Sequence, residues 1–118
     1  RDAASILMMH RFANPDVGVH GHNPKQLREN LAFLRRNNFH ICALDDLVYR
    51  LAEGLAPLPN TVVFTVDDGY ADFADIGAPI FAEFDVPATT FLISGFVGNR
   101  RWVWYDVLRY CAHQHLSG

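Results

Sequence analysis

Little in this sequence is basic, sulfur-bearing or long and apolar, and each shortage closes off a class of protein. Its ten Lys and Arg are outnumbered by thirteen Asp and Glu, for a formal charge of −3. Apart from the short pairs Arg35-Arg36 and Arg100-Arg101 the cations are scattered, so the clustered basic surface that nucleic acid requires is missing. No apolar run approaches the roughly 20 residues of a membrane-spanning helix, and no signal-peptide pattern is present. Two cysteines, Cys42 and Cys111, are too few for a disulfide framework, and no Cys-x-x-Cys pair offers a metal clip. The first residue is Arg1 rather than Met, which reads as a processed or trimmed start. The compartment, cytoplasmic or exported, is therefore left open.

What is there is a globular composition. Half of the 118 residues are hydrophobic, 13% aromatic and 19% charged, enough apolar surface for one core and too little chain for two domains. Residues 1–118 are accordingly read as part of a single domain. Strand and helix patterns alternate along it. Ser5–Met9 is an apolar run ending at His10-Arg11. Asn23-Pro24 reads as a helix cap followed by Pro in the first turn, with Leu27, Leu31 and Leu34 at helical spacing. Residues 39–44 form a second strand pattern. Asp45 is placed to cap a helix bearing Leu47, Val48 and Leu51, with Gly54 to stop it. Thr61–Val66 is a third strand. Residues 72–84 read as a helix bent at Gly77 and Pro79, 88–93 as a fourth strand, and 103–115 as a last helix. Phe33, Phe81, Phe84 and Phe91 are assigned to the core. Continuous apolar strands separated by helices predict an α/β fold with a parallel sheet. Ligands of such folds sit beyond the C-terminal strand ends, so His10, Asp45-Asp46, Asp67-Asp68 and Ser94-Gly95 are expected to share one rim.

The stretch Thr61-Val-Val-Phe-Thr-Val-Asp-Asp-Gly-Tyr70 stands out, because a buried strand runs into two adjacent carboxylates. Their side chains leave the backbone in different directions and can address one centre from two sides. A divalent metal would relieve their repulsion and divide the work, one ligating and the other accepting a proton from water. Gly69 allows a sharp turn behind them. Read alone, such a pair is more often a cap on the next helix than a metal site.

The surrounding residues carry a wider likeness. Thr65-Val66-Asp67-Asp68-Gly69 resembles the Thr-Phe-Asp-Asp-Gly signature of polysaccharide deacetylases, the NodB-homology family (carbohydrate esterase family four). Ile6-Leu-Met-Met-His10-Arg11 is similar to that family's first strand, in the branch acting on exopolysaccharides. Leu44-Asp45-Asp46-Leu47 and Val86-Pro87-Ala88-Thr89-Thr90-Phe91 match later segments in order. The resemblance implies a deformed seven-stranded parallel (β/α) barrel, of which this chain covers about the first half. It implies a metal-dependent hydrolase that removes N-acetyl or O-acetyl groups from a polysaccharide or glycoconjugate. Asp67 falls where the family has its catalytic base and Asp68 where it has a ligand to a divalent metal, usually zinc. His10, Gly69, Tyr70 and Trp104 are the expected substrate-binding residues.

The sequence departs from the family in three places. Val66 replaces the usual Phe, and Asp85 stands where Gly is common, although Asp tolerates a left-handed turn. The family's His-Ser/Thr-x-x-His segment after the fourth strand is missing: His20-x-His22 and His113-x-His115 have another spacing. The His that protonates the leaving amine is missing too. Arg101-Trp102-Val-Trp104-Tyr-Asp106 resembles a stretch that precedes the histidine segment, and the ending Ser117-Gly118 falls short of it. The expectation is an N-terminal piece of a longer deacetylase, inactive alone, with an open barrel edge that is completed by disordered or cleaved sequence or covered by a second copy through self-association. The alternative is a non-catalytic carbohydrate-binding or scaffold domain. Trp102, Trp104 and Tyr105 suit either stacking on sugar rings or packing, and His40 suits a core or strand-edge position.

Overall fold

The computed structural model describes residues 3–98 and 101–116. Arg1, Arg100, Ser117-Gly118 and the side chain of His115 lie outside the described residues. Four parallel strands form the sheet: β1 (Ala4–Met9), β2 (His40–Ile41), β3 (Thr61–Asp68) and β4 (Ala88–Leu92). Strand β3 is central. Met9 lies beside Val66 on one side, and on the other β2 pairs with Thr61-Val62 while β4 pairs from Phe64 to Asp68. This explains the run Thr61–Val66, every residue of which is buried: a strand with neighbours on both sides and cover on both faces has no position for an exposed side chain.

Helix α1 (Pro24–Arg36) begins as its sequence dictates. The Asn23 side chain accepts from the backbone N–H of Lys25 and Gln26 at 2.9 and 3.1 Å, and Pro24 occupies the first turn. Leu27 and Leu31 go into the core beside Val66, Ile80 and Phe81, and Phe12, fully enclosed, fills its centre. After β3 the chain makes a π-helical turn (Phe73–Gly77) and then α3 (Ala78–Glu83), so the bend expected at Gly77 and Pro79 is a widened turn. Asp85 takes the left-handed conformation, φ 52°, which its short polar side chain tolerates. Helix α4 (Trp104–Leu116) closes the described chain.

Four local expectations are corrected. Strand β2 holds two residues rather than six, because it meets β3 at the start of that strand alone. Helix α2 (Leu44–Ala52) is capped by Ala43 without a side-chain bond, and Asp45 and Asp46 lie inside its first turn. There they favour the helix dipole instead of capping. Asp46 is also off the common rim: it lines a groove with His40 and Thr61, at the opposite end of β3 from Asp67. Phe33 and Phe91 are about half exposed, at 51% and 52%, because nothing among the described residues covers the outer faces of α1 and β4. For the same reason Ile6, Leu7 and Met8 of β1 are exposed. The radius of gyration is 17.0 Å, against about 13.5 Å for a compact chain of this length: the sheet has an open edge and incomplete cover.

Candidate active site

Parallel register brings the C-terminal ends of β1, β3 and β4 together, since Met9 pairs with Val66 and Asp68 with Leu92. Asp67 and Asp68 are the last two residues of β3, not loop residues after it. Both are half-buried. His10, exposed, brings its Nε2 to 3.9 Å from Asp67 Oδ2, too far for a hydrogen bond.

The turn that carries Asp68 is tightly specified. Asp68 has φ 74° and Gly69 φ 81°, consecutive left-handed residues that reverse the chain at the strand end. A Cβ on Gly69 would come within 2.6 Å of Leu92 Cδ2, so position 69 excludes a side chain both by conformation and by space. This turn aims Asp68 across the rim at α4. Tyr105 donates its hydroxyl to Asp68 Oδ2 at 2.5 Å, and Tyr70 donates to Asp106 Oδ2 at 2.6 Å. The two phenol oxygens are 3.0 Å apart. Each hydroxyl has one proton, and the shorter, charge-assisted contacts to the carboxylates take both. Burial pushes the Tyr70 hydroxyl well above the ordinary phenol range, and its bond to Asp106 adds to this. Tyr105 is raised likewise, first by burial and then by its bond to Asp68.

Behind Tyr70 the site rests on a buried polar anchor. Arg11 lies 3.8 Å from the centre of the Tyr70 ring and donates through Nε to Asp72 Oδ2 at 3.1 Å. The same oxygen accepts from the backbone N–H of Phe12 at 2.7 Å, while the buried Oδ1 of Asp72 has no protein partner. Tyr70, buried between Arg11 and Phe96, is a structural joint between rim and helix rather than an open sugar platform. Trp104 is 71% exposed with its ring edge-on to Tyr105, and Trp102 is exposed too, so neither is packed into the core.

Sequence reasoning placed His10, Asp67 and Asp68 on one rim, as the structure does, and expected His10, Gly69, Tyr70 and Trp104 to bind substrate. It missed Asp106 as a partner of the site and gave Tyr105 another role. The signal lay in Trp104-Tyr105-Asp106, but nothing in a linear pattern says that a helix after β4 folds back over β3. Among the described residues no group of three His, Cys, Asp and Glu side chains is arranged to hold a metal ion. Asp68 offers a single carboxylate whose Oδ2 is already engaged by Tyr105. These residues alone therefore do not make a metal site.

The sequence from residue 56 to residue 115 matches the family model described as polysaccharide deacetylase. The chain belongs to the polysaccharide deacetylase family. Its fold agrees with solved deacetylase structures. The Streptococcus pyogenes deacetylase PplD, solved in complex with acetate, superposes with a TM-score of 0.67 at 20% identity, over 93% of this chain and 52% of that one. IcaB from Ammonifex degensii gives 0.74 at 22% identity, over 86% and 42%. A de-N-acetylase from Aggregatibacter actinomycetemcomitans gives 0.67 at 16%, over 96% and 52%. No curated protein matches the sequence. The chain thus spans about half the length of the deacetylase structures it resembles, and its four parallel strands are the corresponding part of their (β/α) barrel.

Proposed function

We propose that this chain is the carboxylate-bearing part of a metal-dependent deacetylase that hydrolyses acetyl groups, N-linked or O-linked, on a sugar polymer or glycoconjugate. The observation that carries this reading is the pair Asp67-Asp68 at the end of the central strand, with the two carboxylates given different surroundings. Asp67 faces the open side near His10. It is suited to accept a proton from a water attacking the acetyl carbonyl. Asp68 is held by Tyr105 on the α4 side and is the one residue here proposed as a ligand to a divalent metal, zinc by family resemblance. The other ligands must come from outside the described residues.

The 118 residues taken alone are expected to bind zinc weakly and to release no acetate from N-acetylglucosamine oligomers. The reading is tested by measuring acetate release from N-acetylated and O-acetylated oligosaccharides, for the wild type and for Asp67→Asn in the protein that carries this chain. Release that depends on Asp67 supports it, and the preferred oligomer identifies the linkage. Saccharide binding without any release would replace it by the binding-domain alternative. We further propose that the uncovered edge of β1 mediates self-association of the chain.

A further inference from the structure

Beside the carboxylate pair lies a second feature that deacetylation does not require. An open groove of about 480 Å³ is lined by His10, Arg11, His20, Gly21, His22 and Arg109. Five of its six residues are cations or imidazoles, in a chain whose formal charge is −3. The groove is fixed by backbone bonds. His22 donates its N–H to the Arg11 carbonyl at 2.9 Å, and Ala13 returns one to the His22 carbonyl at 2.9 Å. A Cβ on Gly21 would lie 2.4 Å from the Arg11 carbonyl oxygen, so glycine permits the close approach that brings His20 and His22 alongside His10 and Arg11.

Carboxylates near this groove are already spoken for. Asp67 neighbours His10, Asp72 takes Arg11 Nε, and Asp106 accepts from Tyr70. Among the described residues, none lies within ion-pair distance of His20, His22 or Arg109. The guanidinium of Arg109, exposed on α4, is thus a fixed charge with a planar donor fork, flanked by imidazole N–H donors. Such a set matches an oxyanion.

We propose that this groove binds an anionic substituent, a carboxylate or a phosphate, carried by the sugar polymer next to the residue presented to Asp67. The role of the groove as part of a substrate path rests on the deacetylase reading, but anion binding itself does not. The test is calorimetric titration of the protein with a galacturonic acid trimer, with glucose 6-phosphate and with the neutral N-acetylglucosamine trimer, each at low and at moderate salt. At least one of the anionic ligands is expected to bind about tenfold more tightly than the neutral trimer, to weaken with salt, and to lose about tenfold in Arg109→Ala. Whichever anion binds better identifies carboxylate or phosphate. Equal binding of all three ligands, or an unchanged anion affinity in Arg109→Ala, overturns the proposal. If acetate release occurs without anion preference, the groove proposal fails alone. If anion preference and its loss in Arg109→Ala persist while the protein that carries this chain releases no acetate, the deacetylase reading fails and the groove stands.

Discussion

Tyr105 reaches from α4 to Asp68 at the end of β3, hydroxyl to carboxylate at 2.5 Å, and so ties the last described helix to the central strand. The bond is charge-assisted and partly shielded, so its removal should be felt. Tyr105→Phe is expected to destabilise the fold by about 1.5 kcal/mol, the lower end for a hydrogen bond to a charged group. Urea unfolding followed by fluorescence measures this. A midpoint unchanged from wild type would mean that α4 is held by other contacts.

The two adjacent aspartates should fail in different ways. In the acetate-releasing protein, Asp67→Asn is expected to keep most of the metal and to lower turnover by about 10²–10⁴, the usual worth of a positioned proton acceptor. Asp68→Asn is expected to lose metal and activity together, since an amide oxygen replaces an anionic donor poorly. Metal content by atomic absorption alongside initial rates separates them. The roles are reversed if Asp67→Asn is the variant that loses metal.

Gly69 tests the turn that aims Asp68. Gly69→Ala combines a positive φ with a Cβ placed against Leu92, and is expected to cost about 2 kcal/mol. Adding Leu92→Ala removes the clash but not the backbone strain, so the pair should be less destabilised than the separate costs predict. Strict additivity in thermal unfolding would show that Leu92 does not constrain this turn.

Cys42 provides a pH-dependent readout away from the site. Burial raises its thiol above the ordinary value of 9.0, and the charge of Asp46 raises it further. Cys42 should therefore react with a thiol reagent more slowly than exposed Cys111 at neutral pH, because less thiolate is present. Asp46→Asn should speed it. A thiol whose folded value is raised favours folding fully below pH 9 and loses that contribution as pH climbs through the folded value. Stability should accordingly fall above about pH 9, and the fall should begin at higher pH in Cys42→Ser. Equal labelling rates for the two cysteines would contradict this.

How much of this was legible in the sequence follows from range. Asn23-Pro24 names the start of α1 because a cap and its helix are neighbours in the chain, and Thr61–Val66 names a central strand because burial on both sides leaves no polar position. The strand end at Asp67-Asp68 was readable from a short signature. Asp46 was misplaced on the rim because composition marks a strand without saying where along its neighbour it pairs. Phe33 and Phe91 were misread because apolar character shows what a residue would bury, not whether anything covers it. Asp106 was hidden for a related reason: its partner Tyr70 is 36 positions away, and no periodicity reports a contact at that range.

The exposed edge of β1 leads to the last expectation. Side chains alternate across a strand, yet Ile6, Leu7 and Met8 are exposed at 53%, 44% and 62%, so both faces of this strand are uncovered, and beside it a groove of about 480 Å³ is lined by Ile6, Met8, Leu27, Phe33, Leu34 and Phe64. No charge or proline in Ala4–Met9 protects its free backbone groups. The 118-residue chain is therefore expected to associate with a second copy through this edge, giving a scattering mass above that of a single chain and rising with concentration. Met8→Lys should shift that equilibrium to the monomer, because a lysine placed in the contact must be desolvated, while the fold is kept, since Met8 is exposed in the single chain. A single-chain mass for the wild type at every concentration tested, or association unaffected by Met8→Lys, would show that β1 is not the contact.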